Sequence, residues 1–207
     1  MATITVRGTG TVHATPDEAT IDLGVVAVRP TAAEALSDVA GRTSSLVTLC
    51  HELGLGDRDI TTTGVSVAEH GDHDQGGRWQ HRGYRATSRV SARIRDVDAV
   101  GRLMSAAVDR ANATVDGPTW RVVPEHPAHG EAPRLAAHDA RTRAEALAGA
   151  LGGRLGTVVS ARDARIPPPE PKPMMRFAAA AAEPVPIEAG ELAVVAVVDV
   201  EFNFEQG

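Results

Sequence analysis

Apolar and polar residues alternate along residues 3–12 and again along 18–28, where Ala19, Ile21, Leu23 and Val25 fall on one side and Thr20, Asp22 and Gly24 on the other. A two-residue period marks half-buried strands, and Ala14-Thr15-Pro16-Asp17 between them predicts a turn joining the two as a hairpin. The period then lengthens. Ala32, Ala35, Leu36, Val39, Leu46, Val47, Cys50 and Leu53 recur at helical spacing, with Thr31 placed to cap the start and Gly54 the end. A strand follows at about 59–69, then a polar, glycine-rich stretch from His70 to Arg82 with the composition of a hairpin loop, then an alternating strand at 84–95. Asp96 opens a second helix through Val97, Val100, Met104, Ala107, Val108 and Ala111, and Val115 to Val123 is a short strand bent by Pro118. The third helix is expected to start near Pro133 and to present Ala136, Ala140, Ala144, Leu147, Ala148 and Leu151. Strands at Leu155 to Arg165 and Leu192 to Phe204 complete the pattern.

This strand-strand-helix-strand-strand-helix-strand-helix-strand-strand order predicts an α+β fold, with antiparallel sheet packed against three main helices. The length suits one domain over residues 1–207, interrupted by a Pro/Ala-rich loop at about 166–190. A structureless loop of that length is either mobile or a docking element. Met174, Met175 and Phe177 beside the alanines from Ala178 to Ala182 have the composition of an adaptable contact surface or of an unpacked insertion.

Composition narrows the function classes. Hydrophobic residues make up 43 % of the chain but aromatics only 3 %, so the core is built from Ala, Val, Leu and Ile, and no surface for stacking nucleobases is expected. The net charge of −6 opposes general nucleic-acid binding, which relies on Lys and Arg against phosphates. The single cysteine, Cys50, has no intramolecular partner and sits among apolar helix positions as a small hydrophobe. Met1 to Val6 lacks a basic segment and an apolar one, which predicts a cytoplasmic chain as written, and no run approaches the roughly 18 apolar residues of a membrane span.

Four punctuated stretches recur in order: Val6-Arg7-Gly8-Thr9-Gly10-Thr11-Val12 with Pro16-Asp17; Leu53 to Thr62, including Asp57 and Asp59; Gly83-Tyr84-Arg85-Ala86; and Ala146 to Gly156, including Gly152 and Gly153. Together they resemble the SIMPL domain family. Gly8 and Gly10 are expected to relieve crowding or permit a bulge, Pro16 and Asp17 to shape a turn, Asp59 to bond local backbone, and Gly152, Gly153 and Gly156 to close the third helix before the next strand. The resemblance implies a bacterial α+β domain, often exported, forming homo-oligomeric rings in some members, loosely linked to stress defence, and without an established activity, catalytic residue or cofactor.

The residues themselves offer two candidate sites. His70, Asp72, His73 and Asp74, with His81 beyond, have metal-ligand chemistry at close spacing, as do Glu125, His126 and His129; both clusters equally fit solvated polar loops. Arg85, Arg89, Arg93 and Arg95 share one face of their strand, and Glu191, Asp199, Glu201 and Glu205 share one face of the last. The two faces are expected either to pair, across a sheet or a subunit boundary, or to be ordinary solvated surfaces. Nucleophile-elbow, Walker and dinucleotide signatures are absent from the sequence. These readings lead to a non-enzymatic, self-assembling protein, with a metal- or small-ligand-binding protein as the alternative.

Overall fold

The computed structural model describes residues 2–164 and 187–206. Its elements follow the predicted order: β1 (Ala2–Ala14), β2 (Glu18–Arg29), α1 (Ala32–Glu52), β3 (Ile60–His73), β4 (Trp79–Ile94), α2 (Val97–Ala111), β5 (Thr114–Arg121), α3 (Ala128–Ala150), β6 (Gly153–Asp163) and β7 (Leu192–Gln206), with a short 3-10 helix at Asp57–Asp59. The strands form two antiparallel sheets, β1-β7-β6 and β3-β4-β2-β5. The described residues divide into two compact units, 2–16, 122–164 and 190–206 in the first, and 17–121 with 187–189 in the second.

The expected hairpin of the first two strands does not form. β1 pairs with β7 and β2 with β4 and β5, because the Thr15-Pro16-Asp17 link carries the chain from one sheet to the other. Alternation reports which face of a strand is buried and not which strand lies beside it.

In the first unit, α3 lies against β1 through a stripe of alanines. Ala128, Ala132, Ala136, Ala140, Ala144 and Ala148 are all buried, one every four residues, while Leu147 and Leu151, expected on this face, are exposed. The helix begins at Ala128, upstream of the expected start, and holds Pro133 in its second turn. Gly8 and Gly10 are the strand's half of the contact. A Cβ on Gly8 would lie 2.1 Å from the Ala136 carbonyl oxygen and 2.6 Å from the Ala140 nitrogen, and one on Gly10 2.1 Å from the Ala132 carbonyl oxygen. The glycines are therefore needed for close helix approach. Asp139 of α3 also accepts a 2.9 Å hydrogen bond from the Thr9 N–H, on the strand whose one sheet neighbour is β7.

In the second unit, α1 and α2 pack on the face of the four-stranded sheet carrying Ile21, Leu23, Val25, Val90 and Ile94. Thr31 caps the start of α1 as expected, and Glu34 completes a reciprocal capping box with it, while Asp96 caps α2 through the Asp98 N–H. Cys50 lies buried in this core, and burial pushes its thiol up to about 11. Glu18 is buried at the start of β2, with Arg95 and Arg121 each 3.8 Å away.

Candidate functional site

The histidine-rich stretch is strand where a loop was expected. Pairing of β3 with β4 continues to His73 opposite Trp79, leaving a tight turn around Asp74. The Asp74 carboxylate accepts the N–H groups of Gly76 at 2.9 Å and Arg78 at 3.0 Å, and the Gln80 amide at 3.3 Å. These bonds, Arg78 first, hold its pKa below the usual carboxylate range.

The ladder separates the proposed metal ligands. His73 opposite Trp79 and His81 opposite Gly71 share one side, whereas Asp72 opposite Gln80 points to the other. Each is engaged locally: His73 edge-on to Trp79 and His81 edge-on to Tyr84, both at 5.2 Å, Asp72 with Arg82 at 3.1 Å, and His70 with Arg85 at 3.5 Å. His126 accepts the Ala128 N–H at the start of α3, and His129 lies 3.4 Å from the Val122 carbonyl. Among the described residues, no group of three or more His, Cys, Asp or Glu side chains is placed to hold a metal ion.

Arg85, Arg89 and Arg93 do share the outward face of β4, alternating with buried Ala86, Ser88, Val90 and Ala92. The expected pairing of β4 with the acidic last strand within one sheet does not occur, because β4 is enclosed by β3 and β2 while β7 belongs to the other sheet. Each face finds its own partners instead. Arg93 donates to the Arg58 carbonyl and lies 3.6 Å from Asp59, which the 3-10 turn presents. Asp199 accepts two hydrogen bonds from Arg7, at 2.7 and 2.9 Å, and Glu201 one from Ser160 at 3.2 Å. The Arg7 bonds, aided by the Arg7 and Arg162 charges, keep the Asp199 carboxyl below its ordinary pKa.

Of the remaining structural residues, Gly152 takes φ 77° just past α3, a conformation that favours glycine, and Gly156 packs against Asn203. Pro16 is buried, and the Asp17 N–H donates to the Arg121 carbonyl at 3.2 Å. Met174, Met175 and Phe177 lie outside the described residues, as does most of the 166–190 loop.

The feature that residue-by-residue reading missed is the β3 edge. The helices sit mainly over β2 and β4, and among the described residues the helix-facing side of β3 is left partly open, with Val65 60 % and Val67 40 % exposed and Leu36 of α1 also exposed. A groove of about 400 Å³ runs between α1 and β3, lined by Leu36, Val39, Thr43, Thr62, Val65 and Ser88. The Ser88 hydroxyl is buried there without a hydrogen-bond partner among the described residues. Among the described residues, this groove is lined by aliphatic and hydroxyl side chains, with no carboxylate, imidazole or amine. The sequence signal was present in Gly64-Val65-Ser66-Val67-Ala68, an alternating run without charge or proline.

Comparison with known proteins gives consistent matches. The SIMPL family model, described as a protein of unknown function (DUF541), matches residues 4–202. The chain is 29 % identical over 216 residues to the 26 kDa periplasmic immunogenic protein of Brucella melitensis, covering 99 % of this chain and 85 % of the relative. It is 28 % identical to the uncharacterized protein YggE of Edwardsiella ictaluri, covering 86 % of this chain and 74 % of that one, and 27 % identical to YggE of Escherichia coli, covering 88 % and 73 %. The Brucella relative is named as periplasmic, which lends no support to the expectation of a cytoplasmic chain.

Proposed function

The chain belongs to the SIMPL family, and from that premise we propose that it is a non-enzymatic protein that works by associating with further copies of itself. The observation that carries this reading is the edge of β3, where no further strand pairs among the described residues and the run Gly64 to Ala68 carries no charge or proline. Exposed strand edges present free N–H and C=O groups, and proteins blunt them with charge, proline, bulges or a covering helix. Among the described residues, the other three sheet edges are each treated in this way. On β1, Asp139 of α3 takes the Thr9 N–H; β5 carries Asp116, Pro118 and a bulge; β6 has two register shifts and the charges of Arg154, Arg162 and Asp163. β3 also has two register shifts, between Thr62 and Gly64 and between His70 and Gly71, but between them it runs regularly against β4 and stays uncharged from Gly64 to Ala68, a longer regular run without charge than the other edges leave.

An exposed edge with apolar side chains is satisfied by association, and closed symmetric assemblies are the usual way to achieve it. The name of the Brucella relative supports an exported setting for such an assembly. The stress-defence role implied by the resemblance gains no support from the geometry of the described residues. Light scattering behind size exclusion, over a range of protein concentrations, tests the reading: a discrete oligomer is expected, and a monomer throughout would overturn it.

A further inference from the structure

The run Gly64-Val65-Ser66-Val67-Ala68 reads almost the same in both directions, small-Val-Ser-Val-small about Ser66. A two-fold contact imposes this condition, because residue i of one copy must suit residue j of the other while j suits i. In an antiparallel pair centred on Ser66, Ser66 meets its own copy, Val65 meets Val67, and Gly64 meets Ala68. The register is free of bulges over this stretch, and no charge meets its like within it. Val65 and Val67 both project to the partly open side beside α1, so the pairing brings four exposed valines into one cross-strand cluster. On the other side, the Ser66 hydroxyl is held by Thr87 at 2.7 Å, leaving a small polar surface at the two-fold axis.

We infer that the partner of the β3 edge is the β3 edge of a second copy, paired antiparallel about Ser66 so that the two four-stranded sheets become one. This rests on the self-association reading and deepens it by naming the surface and the register.

Register makes the inference testable by single cysteines in the full chain. Residues directly opposed across antiparallel strands have Cα atoms about 4.5–5.5 Å apart, within disulfide range. Ser66→Cys is therefore expected to yield mainly covalent dimer under mild oxidation. Two copies of Ala68 would lie four residues apart along the strands, about 13 Å, so Ala68→Cys is expected to remain unlinked. Cys50 is buried and does not compete. Val67→Lys, at a 40 % exposed position, is expected to halve the mass of the assembly or reduce it further without lowering the melting temperature by more than a few degrees. If the unmodified chain assembles, yet Ser66→Cys stays unlinked and Val67→Lys leaves the mass unchanged, the pairing is overturned while self-association stands. Equal cross-linking at both positions overturns the register. A monomeric unmodified chain removes both.

Discussion

Replacing Gly8 with alanine adds one methyl group where α3 presses on β1. The new Cβ would stand 2.1 Å from the Ala136 carbonyl oxygen, 2.6 Å from the Ala140 nitrogen and 2.7 Å from the Ala140 Cβ, whereas real Cβ contacts stay beyond 3.0 Å. Two of the three obstructing atoms are backbone, so no rotamer change relieves the clash, and the helix must retreat by about 1 Å or the strand must bend. Either movement loosens the cluster of Ile4, Val6, Ala140, Ala144, Ala148, Val200 and Phe202. Overpacking costs about 1–3 kcal/mol, and backbone opposition places Gly8→Ala near the top of that range. Alanine returns about 0.5–1 kcal/mol through its lower chain entropy, so the net loss is about 2–2.5 kcal/mol. For a chain of this size that corresponds to a fall in melting temperature of about 4–10 °C. Gly41→Ala is the control: it lies in α1 with nothing within 4 Å of the added Cβ, and it is expected to stabilise by about 0.5–1 kcal/mol. Thermal unfolding followed by circular dichroism compares the three proteins. A Gly8→Ala midpoint within about 2 °C of the parent would refute the packing account.

Other consequences follow from single contacts. The Thr9 N–H, with help from Arg143, holds the Asp139 pKa below its ordinary value, so this carboxylate stabilises the fold above an unfolded pKa of about 3.9 and loses that contribution as pH falls through the lower folded value. Asp139→Asn should therefore melt below the parent at pH 7, with the difference closing in acid; a gap independent of pH would exclude the linkage. Glu18→Ala removes a buried carboxylate from between Arg95 and Arg121 and should cost about 1–3 kcal/mol in chemical denaturation, against little change if the ion pairs are idle. With its thiol raised to about 11 and buried, Cys50 should resist alkylation at pH 8 in the folded protein and react once denaturant is added; rapid labelling without denaturant would show the thiol to be reachable.

The order of elements was legible because each strand and helix carries its own period, and both N-caps could be read from Thr31 and Asp96. Partnership was not. Nothing local in β1 or β2 says that a three-residue link around Pro16 sends them to different sheets. The histidine-rich stretch reads as loop because Gly71, Asp72 and Asp74 are turn residues by composition, yet pairing through His73 and Trp79 extends the ladder and confines the turn. Gly8 and Gly10 were recognisable as necessary, but their purpose depends on an alanine stripe more than a hundred residues away. The β3 edge is not legible in the sequence because an edge is a property of the sheet: Val65 and Val67 alternate like core residues, yet α1 packs mainly over β4 and β2 and leaves them partly exposed.

The central claim is that the β3 edge is covered by another copy of the chain, and amide hydrogen exchange measured at low and high protein concentration tests it at the residues concerned. Amides of β3 that do not bond to β4 face outward from the sheet and exchange quickly when the edge is bare. The account predicts that residues 64–68 gain protection as concentration rises, with the β5 edge unchanged as an internal reference. Exchange along β3 that stays fast and concentration-independent, in a protein whose mass shows it to be assembled, would contradict it.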